Sequence, residues 1–346
     1  MSKLNKAYFN IFLLVVTLSV TCCKNDEPEK EPDVYVAGVT YSDPFNKSIT
    51  HAVYWKNGNK TSLTTNQYWS SANSIFVSGK DIYIAGGKYD GTKNVALYWK
   101  NGEEVIVDPG GYGSVATSIF LSGNDVYVAV NRGGMMVEDA FYWKNETMIK
   151  LADSAHVNSI IVNGNDVYAV GFKYVDMSGD GYTTRRVAFW KNGEEIKLFT
   201  VDGSASTAQN ATSLAVSGND IYIIGYEYDS PVYWKNGREV QFIDRGRLNS
   251  VFASGPDVYL AGLQFSQMTG GGRLATYWKN GTKVTLSDEY KYNGVSSIFV
   301  LDGKVYVAGG ESIAGEDFAK YWKDGQEVML LDGDNQTMCT AIFVVK

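Results

Sequence analysis

Three observations predict an all-β chain folded as a seven-bladed β-propeller of four-stranded antiparallel blades, its ring closed by the C-terminal strand: a motif repeated seven times, the strand-like sequence around each copy, and an unmatched strand at either end. The motif is Tyr-Trp-Lys-Asn-Gly, at Tyr54 to Gly58, Tyr98 to Gly102, Tyr233 to Gly237 and Tyr277 to Gly281. Variants stand at Tyr142 to Glu146, Phe189 to Gly193 and Tyr321 to Gly325. The tryptophans Trp55, Trp99, Trp143, Trp190, Trp234, Trp278 and Trp322 are 44, 44, 47, 44, 44 and 44 residues apart.

Each unit reads as four short strands. Strand one is Ser-Ile-Phe-Val, starting at Ser74 and recurring from Ser118, Ser159, Ser213, Ser250 and Ser297. A tight Ser-Gly-x-Asp turn leads to strand two, Val-Tyr-Val-Ala-Gly or its equivalent. A variable loop precedes strand three, which ends in Ala-x-Tyr-Trp. Lys-Asn-Gly then forms a hairpin, because Asn-Gly accepts the positive φ angles of a type I′ turn. Strand four is Glu104 to Val107 and its counterparts. Apolar residues lie on both faces of the strands, as in sheets covered on both sides. The Asp before strand two is expected to hydrogen-bond its own turn.

The chain ends set the blade count. The first unit has no strand one and starts at Asp33-Val34-Tyr35-Val36-Ala37-Gly38, whereas the chain finishes with a lone strand one, Thr340 to Val345. The last strand therefore completes the first blade and removes an open sheet edge. The propeller is expected to span 33–346.

Composition narrows the function. With 45% hydrophobic residues in 346, the chain has material for a large core, which excludes wholesale disorder. Lys plus Arg number 31 against 38 Asp plus Glu, with no long basic run, which argues against an electrostatic nucleic-acid binder. Two histidines, His51 and His156, exclude a site built on three imidazoles. Cys339 is the only cysteine beyond Cys22 and Cys23, so there is no internal disulfide framework.

Lys3 and Lys6 precede an apolar run from Ala7 to Val20, the n-region and h-region of a secretory signal. The run ends at Thr21-Cys22-Cys23, which resembles a bacterial lipoprotein junction; the resemblance implies acylation of one of the two cysteines and a signal peptide over 1–22. Residues 23–32 carry charge, two prolines and no large apolar residue, and read as an acidic tether. Their acidic cluster is similar to the surface-export signal of Bacteroidetes lipoproteins, which implies lipid attachment to the bacterial outer membrane, exposed at the cell surface.

The Ala-x-Tyr-Trp-Lys-Asn-Gly-x-x-Val-x-Leu consensus resembles the HAF-type extracellular repeat, which carries Ala-Phe-x-Trp-x-Asn-Gly before an apolar strand. The resemblance covers all seven units, with His51-Ala52-Val53-Tyr54 nearest the usual opening, and implies no shared activity. The whole chain resembles propeller lipoproteins of the Bacteroidetes type.

A residue present in every unit is first structural, so the motif tryptophans and strand-two tyrosines are expected between blades. Turns one-to-two and three-to-four are short and uniform, on one rim; loops two-to-three and four-to-one vary, on the other. Binding residues usually lie on variable loops carried by a rigid scaffold. That rim holds Trp69, the one tryptophan outside the repeat, with Tyr68, Tyr89, Tyr112, Tyr182, Tyr226, Tyr228 and Tyr290, and also Tyr41, Tyr174 and Tyr292. Flat aromatic faces near carboxylates suit a glycan or a protein segment.

Asp176, Ser178 and Asp180, followed by Gly181, have the alternating oxygen spacing that opens a calcium loop, in the one unit with a three-residue insertion. Val187 stands where the bidentate Glu belongs, which favours a solvated glycine-rich loop. No other cofactor is suggested. No nucleophile–base constellation is legible, so binding is favoured over catalysis. Two alternatives stay open: a carboxylate-dependent polysaccharide hydrolase or lyase drawing on Asp43, Asp90, Glu138, Asp139, Glu227, Asp229, Asp288, Glu289, Glu316 and Asp317, and an architectural subunit of an envelope complex.

Overall fold

The computed structural model describes residues 30–42, 49–65, 68–108, 112–133, 138–176, 183–200, 203–228, 230–242, 244–265, 272–288, 292–313, 315–330 and 336–346. Within the compact unit Pro32–Lys346, the described strands form seven four-stranded antiparallel sheets. From the inner strand outwards, blade 2 is Ser70–Ser78, Asp81–Tyr89, Asn94–Lys100 and Glu103–Asp108, and the later blades repeat this order. Blade 1 takes its inner strand, Thr337–Val345, from the end of the chain and pairs it with Asp33–Tyr41, followed by Thr50–Lys56 and Asn59–Ser62. The closure expected from the two chain ends is therefore present.

The repeated aromatics hold blade to blade. All seven motif tryptophans and all seven strand-two tyrosines are buried. In each of the seven core clusters the tyrosine of one blade shares a layer with the tryptophan of the next: Tyr35 with Trp99, Tyr83 with Trp143, and so round to Tyr306 with Trp55. On the inner strands, Phe343, Phe76 and Phe120 meet in sequence, as do Phe252, Phe299 and Phe343, tilted or edge-on with ring centroids 4.7–5.2 Å apart. Ile161 and Ala215 take the equivalent places in blades 4 and 5.

Every inner strand carries a β-bulge just above this aromatic layer, and the residue it leaves out of register is polar: Asn73, Thr117, Asn158, Thr212, Asn249, Ser296 or Thr340. A bulge re-aims one side chain out of the ladder. Six of these side chains donate to a backbone carbonyl of the next blade, for example Asn73 to Ala116 at 2.8 Å and Thr340 to Ala72 at 2.6 Å. Ser296, the shortest, donates instead to Ala308 of its own blade. The seam between blades 7 and 1 thus lacks the bond its six counterparts have.

In six blades close strand packing demands glycine at the end of strand two. A Cβ on Gly86 would sit 1.9 Å from the Ser71 carbonyl oxygen, and Gly38, Gly171, Gly225, Gly262 and Gly309 meet the same obstacle at 1.8–2.1 Å. Blade 3 carries Val130 there.

The Lys-Asn-Gly turns adopt the expected geometry, with Asn101 at φ 53° and Gly102 at 89°. The strand-two aspartate bonds differently from expectation: it reaches across to this neighbouring turn, not to its own. In blade 4, Asn192 Nδ2 donates to Asp166 Oδ1 at 2.8 Å, Asn192 Oδ1 accepts from the Val167 N–H, and Lys191 pairs with Asp166 Oδ2 at 2.7 Å while lying over Tyr168. These bonds from Lys191 and Asn192 hold the Asp166 carboxyl below its ordinary range. The same set recurs in blades 1 to 6; in blade 7 Asp324 replaces the asparagine and still accepts from Val305 N–H. Blade 3 is irregular in one respect: Glu146 stands where the others have glycine, at φ 73°. A left-handed conformation costs an L-residue about 1–2 kcal/mol, so Glu146→Gly is expected to stabilise the fold by about 1 kcal/mol after the entropy of the added glycine, measurable by urea titration.

Candidate functional site

The rim formed by the Lys-Asn-Gly and Ser-Gly-x-Asp turns is a near-identical repeat of one ion-paired hydrogen-bond set. The opposite rim, where strands two and three and strands four and one connect, is where the blades differ.

On that rim, blade 2 gathers three of the expected aromatics. Tyr68, 36% exposed, meets Tyr89 edge-on with centroids 5.5 Å apart. Trp69 accepts a hydrogen bond from Tyr89 N–H through its carbonyl, and its indole lies over Gly87, 3.5 Å from where a Cβ would be. Other expected aromatics lie elsewhere on the blades or at exposed turns. Tyr226 is in the second strand of blade 5, its hydroxyl accepting from Asn210 at 3.1 Å. Tyr228 is 76% exposed at φ 53°, and Tyr112 is 86% exposed. Several residues read as loop residues end strands instead: Tyr41, Tyr89 and Tyr174 extend second strands beyond the glycine position. Asp176 is the last residue of such a strand, paired with Thr183. Tyr182, Tyr290, Ser178, Asp180, Cys22 and Cys23 lie outside the described residues. Among the described residues, no group of three or more His, Cys, Asp or Glu is placed to hold a metal ion.

His156 is absorbed into the scaffold. Asn131 exchanges two bonds with the Val157 backbone, which fixes its amide orientation and aims Nδ2 at His156 Nε2, 3.2 Å away. By this network Nε2 is the acceptor, so the ring proton sits on Nδ1, which donates to Glu138. The ring also stacks on Phe172, and Arg185 covers Phe172 and Tyr174. His51 lies in the third strand of blade 1, where burial lowers its pKa. Several rim carboxylates serve local structure. Hydrogen bonds from the Thr92 hydroxyl and the Lys93 and Thr92 N–H groups push Asp90 down to about 2. Asp139 binds Lys150 and the Ser154 N–H, and Glu227 accepts from Thr207.

A site missed from sequence lies at the seam between blades 7 and 1. A cavity of about 320 Å³ is lined by Gly294, Val295, Gly309, Gly310, Phe318 and Met338, with Glu311 and Asp317 as its charged residues. Its origin is a missing side chain. At the Gly310 position the other blades carry Val39, Asn131, Phe172, Tyr226 and Leu263, and Gly87 of blade 2 is covered by Trp69. On the side of blade 7 that faces blade 6, beside residues 285–288, Lys320, 1% exposed, pairs with Glu311 at 2.8 Å and with Glu327 at 3.0 Å. The equivalents of Lys320 are Val53, Leu97, Phe141, Ala188, Val232 and Thr276, so aligning the seven units at this column exposes the charge. Removing one member of a buried pair strands the other, at a cost of about 3–5 kcal/mol. Lys320→Leu is accordingly expected to lower stability by about that amount, and adding Glu311→Gln to restore most of it, in the same chemical denaturation assay.

Cys339 is also at this cavity; burial pushes its thiol up to about 12, so it is protonated.

The fold and the site define a seven-bladed β-propeller with one uniform and one variable rim. No family model and no curated protein matches the chain. Among solved structures it is similar to an acylaminoacyl peptidase from Pyrococcus horikoshii, with 15% identity and a TM-score of 0.53, covering 88% of this chain and 52% of the peptidase. It thus spans about half the length of that enzyme. A second similarity, to TolB from Acinetobacter baumannii, has 9% identity and a TM-score of 0.46, covering 89% of this chain and 63% of that one. At 15% identity the likeness to the peptidase concerns the fold alone.

Proposed function

We propose that this protein is a lipid-anchored, non-enzymatic binding propeller of the bacterial outer membrane, holding a glycan or protein partner on its variable rim. The observation that carries this reading is the division between rims: one repeats a single structural hydrogen-bond set, while the other gathers the departures from the repeat. Of these, the Tyr68–Trp69–Tyr89 group offers adjacent aromatic faces of the kind that pack on sugar rings or apolar side chains. The engagement of His156, Asp90 and Asp139 in internal bonds supports binding over turnover. In this reading residues 1–22 are a signal peptide, one of Cys22 and Cys23 carries the lipid, and 23–32 are the tether.

A glycan-array screen with and without calcium tests the binding. Saturable binding to one glycan class, reduced at least tenfold by Trp69→Ala, is the expected result. Unchanged binding by that variant places the contact elsewhere on the rim, and a blank array leaves only a protein partner. Incorporation of labelled fatty acid, lost on replacing the acylated cysteine by Ser, checks the anchor.

A further inference from the structure

We propose that Arg185 on blade 4 is a carboxylate-binding point of the variable rim, and that the glycan held there carries a uronic acid. The proposal rests on the reading of that rim as a glycan-binding face, and it uses residues outside the Tyr68–Trp69–Tyr89 group.

The argument starts from the strands that carry this arginine. The second strand of blade 4, Asp166–Asp176, has 11 residues, against 8 to 10 in the other six blades. It pairs with Thr183–Lys191 without a break in register. Residues opposite one another share a face, and the face alternates along each strand. One face therefore carries Phe172 with Val187, Tyr174 with Arg185, and Asp176 with Thr183. Five residues before the motif tryptophan, where blade 4 has Arg185, the other blades have Thr50, Asn94, Glu138, Asp229, Arg273 and Asp317. Arg273 faces Phe265 but has Leu263 at the inner position, so blade 4 alone sets an arginine against two aromatic residues.

Those rings fix the guanidinium. Its centre lies 4.5 Å from the Phe172 centroid and 5.7 Å from that of Tyr174, and Nη2 reaches the Tyr174 hydroxyl at 3.5 Å. Phe172 is itself held, stacked on His156 at 5.2 Å and met edge-on by Tyr174. His156 is in turn bound by Glu138 and Asn131 of blade 3. The guanidinium is thus placed before a ligand arrives, which reduces the entropy lost on binding.

Its charge is also available. On the opposite face, Arg186 and Lys173 share Glu195, and in blade 3 Arg132 grips Asp108 with two nitrogens. Arg185 is exposed, and among the described residues no carboxylate is in ion-pair contact with it. A planar fork of N–H donors matches the two oxygens of a carboxylate. Beside it, the same face offers the half-buried Tyr174 ring and the Thr183 and Asp176 oxygens, groups that suit a sugar ring and its hydroxyls. A neutral sugar would leave the guanidinium without an anion.

The test uses trigalacturonate, its methyl ester, which keeps the sugar and removes the charge, and triglutamate, which keeps the charge and removes the sugar. Each is titrated calorimetrically into the full chain in detergent. Trigalacturonate is expected to bind saturably, and the ester and triglutamate about tenfold more weakly, the loss of one charge-assisted hydrogen-bond pair. Arg185→Gln should weaken trigalacturonate about tenfold and leave the ester unchanged. Arg185→Lys, which keeps the charge without the planar fork, should recover only part of the loss. The position is exposed, so an unchanged melting temperature confirms that both variants fold. Trp69→Ala should leave the preference for acid over ester in place. Equal binding of acid and ester, lost in Trp69→Ala but kept in Arg185→Gln, would overturn the carboxylate site and leave the glycan reading of the rim standing. Triglutamate binding as tightly as trigalacturonate, or no trigalacturonate binding at millimolar concentration, would also overturn it.

Discussion

Ending the chain at Gln336 is expected to abolish cooperative folding. The nine-residue strand that would be lost, Thr337–Val345, is the inner strand of blade 1 and pairs along Asp33–Thr40. Ile342 and Val344 are 4% and 1% exposed in the layer between blades 7 and 1, together with Cys339. Phe343 sits between Phe76 and Phe299 in the inner-strand aromatic layer, and Thr340 supplies the bond to blade 2. Each fully buried aliphatic or aromatic side chain contributes about 1.5–3 kcal/mol. Losing several at once therefore matches a typical total stability of about 5–15 kcal/mol. The truncation would also uncover Val34, Val36 and Val39 along an open edge, a template for aggregation. Scanning calorimetry should show no cooperative transition in the truncated chain. A transition within a few degrees of the intact protein would mean that the ring does not need its closing strand.

The second large effect separates the repeat tryptophans from the one outside the repeat. Trp99→Ala is expected to cost about 3–5 kcal/mol, as for other large-to-small core changes, whereas Trp69→Ala should cost about 1 kcal/mol or less. Trp99 is fully buried between blades 1 and 2, against Tyr35, Ala37 and Leu97, and its ring also meets Gly86. The indole N–H groups of Trp55, Trp99, Trp190, Trp234 and Trp322 are buried with no hydrogen-bond partner among the described residues, while Trp278 donates to Asp244 at 2.6 Å. An unpaired buried N–H is unfavourable by about 1–3 kcal/mol, so ring volume rather than polarity keeps tryptophan in this layer. Trp99→Phe, which removes the orphaned N–H and only part of the volume, should therefore be much milder than Trp99→Ala. Equal losses in equilibrium denaturation would contradict this division of labour.

The architecture was legible because its causes repeat. Each blade needs the same wedge, Tyr on one face and Trp on the next, so the period emerges from Trp55 to Trp322 without knowledge of long-range contacts. Asn-Gly announced its turn because few other pairs tolerate two positive φ angles. The partner of the strand-two aspartate was less legible: Asp166 and Asn192 are 26 residues apart, and only the register of strands two and three brings them together.

The variable rim was harder for a different reason. Loop composition named Tyr68, Trp69 and Tyr89, but composition carries no direction: the Tyr226 hydroxyl is engaged by Asn210 within its own blade, while Tyr112 and Tyr228 are largely exposed. The seam cavity was invisible to a search confined to loops. It arises inside a strand, where Gly310 replaces the residues that fill the other blades. A glycine in a strand draws no attention until the seven units are aligned column by column.

The central claim is that binding belongs to the variable rim and that the opposite rim is scaffold. The most direct test compares equilibrium binding of the captured glycan or protein to two variants, one altered on each rim. Tyr68→Ala with Trp69→Ala should reduce affinity at least tenfold, and Lys144→Gln with Lys191→Gln, on the turn rim, should leave it unchanged. Loss of binding in the lysine variant, with the aromatic variant unaffected, would contradict the account.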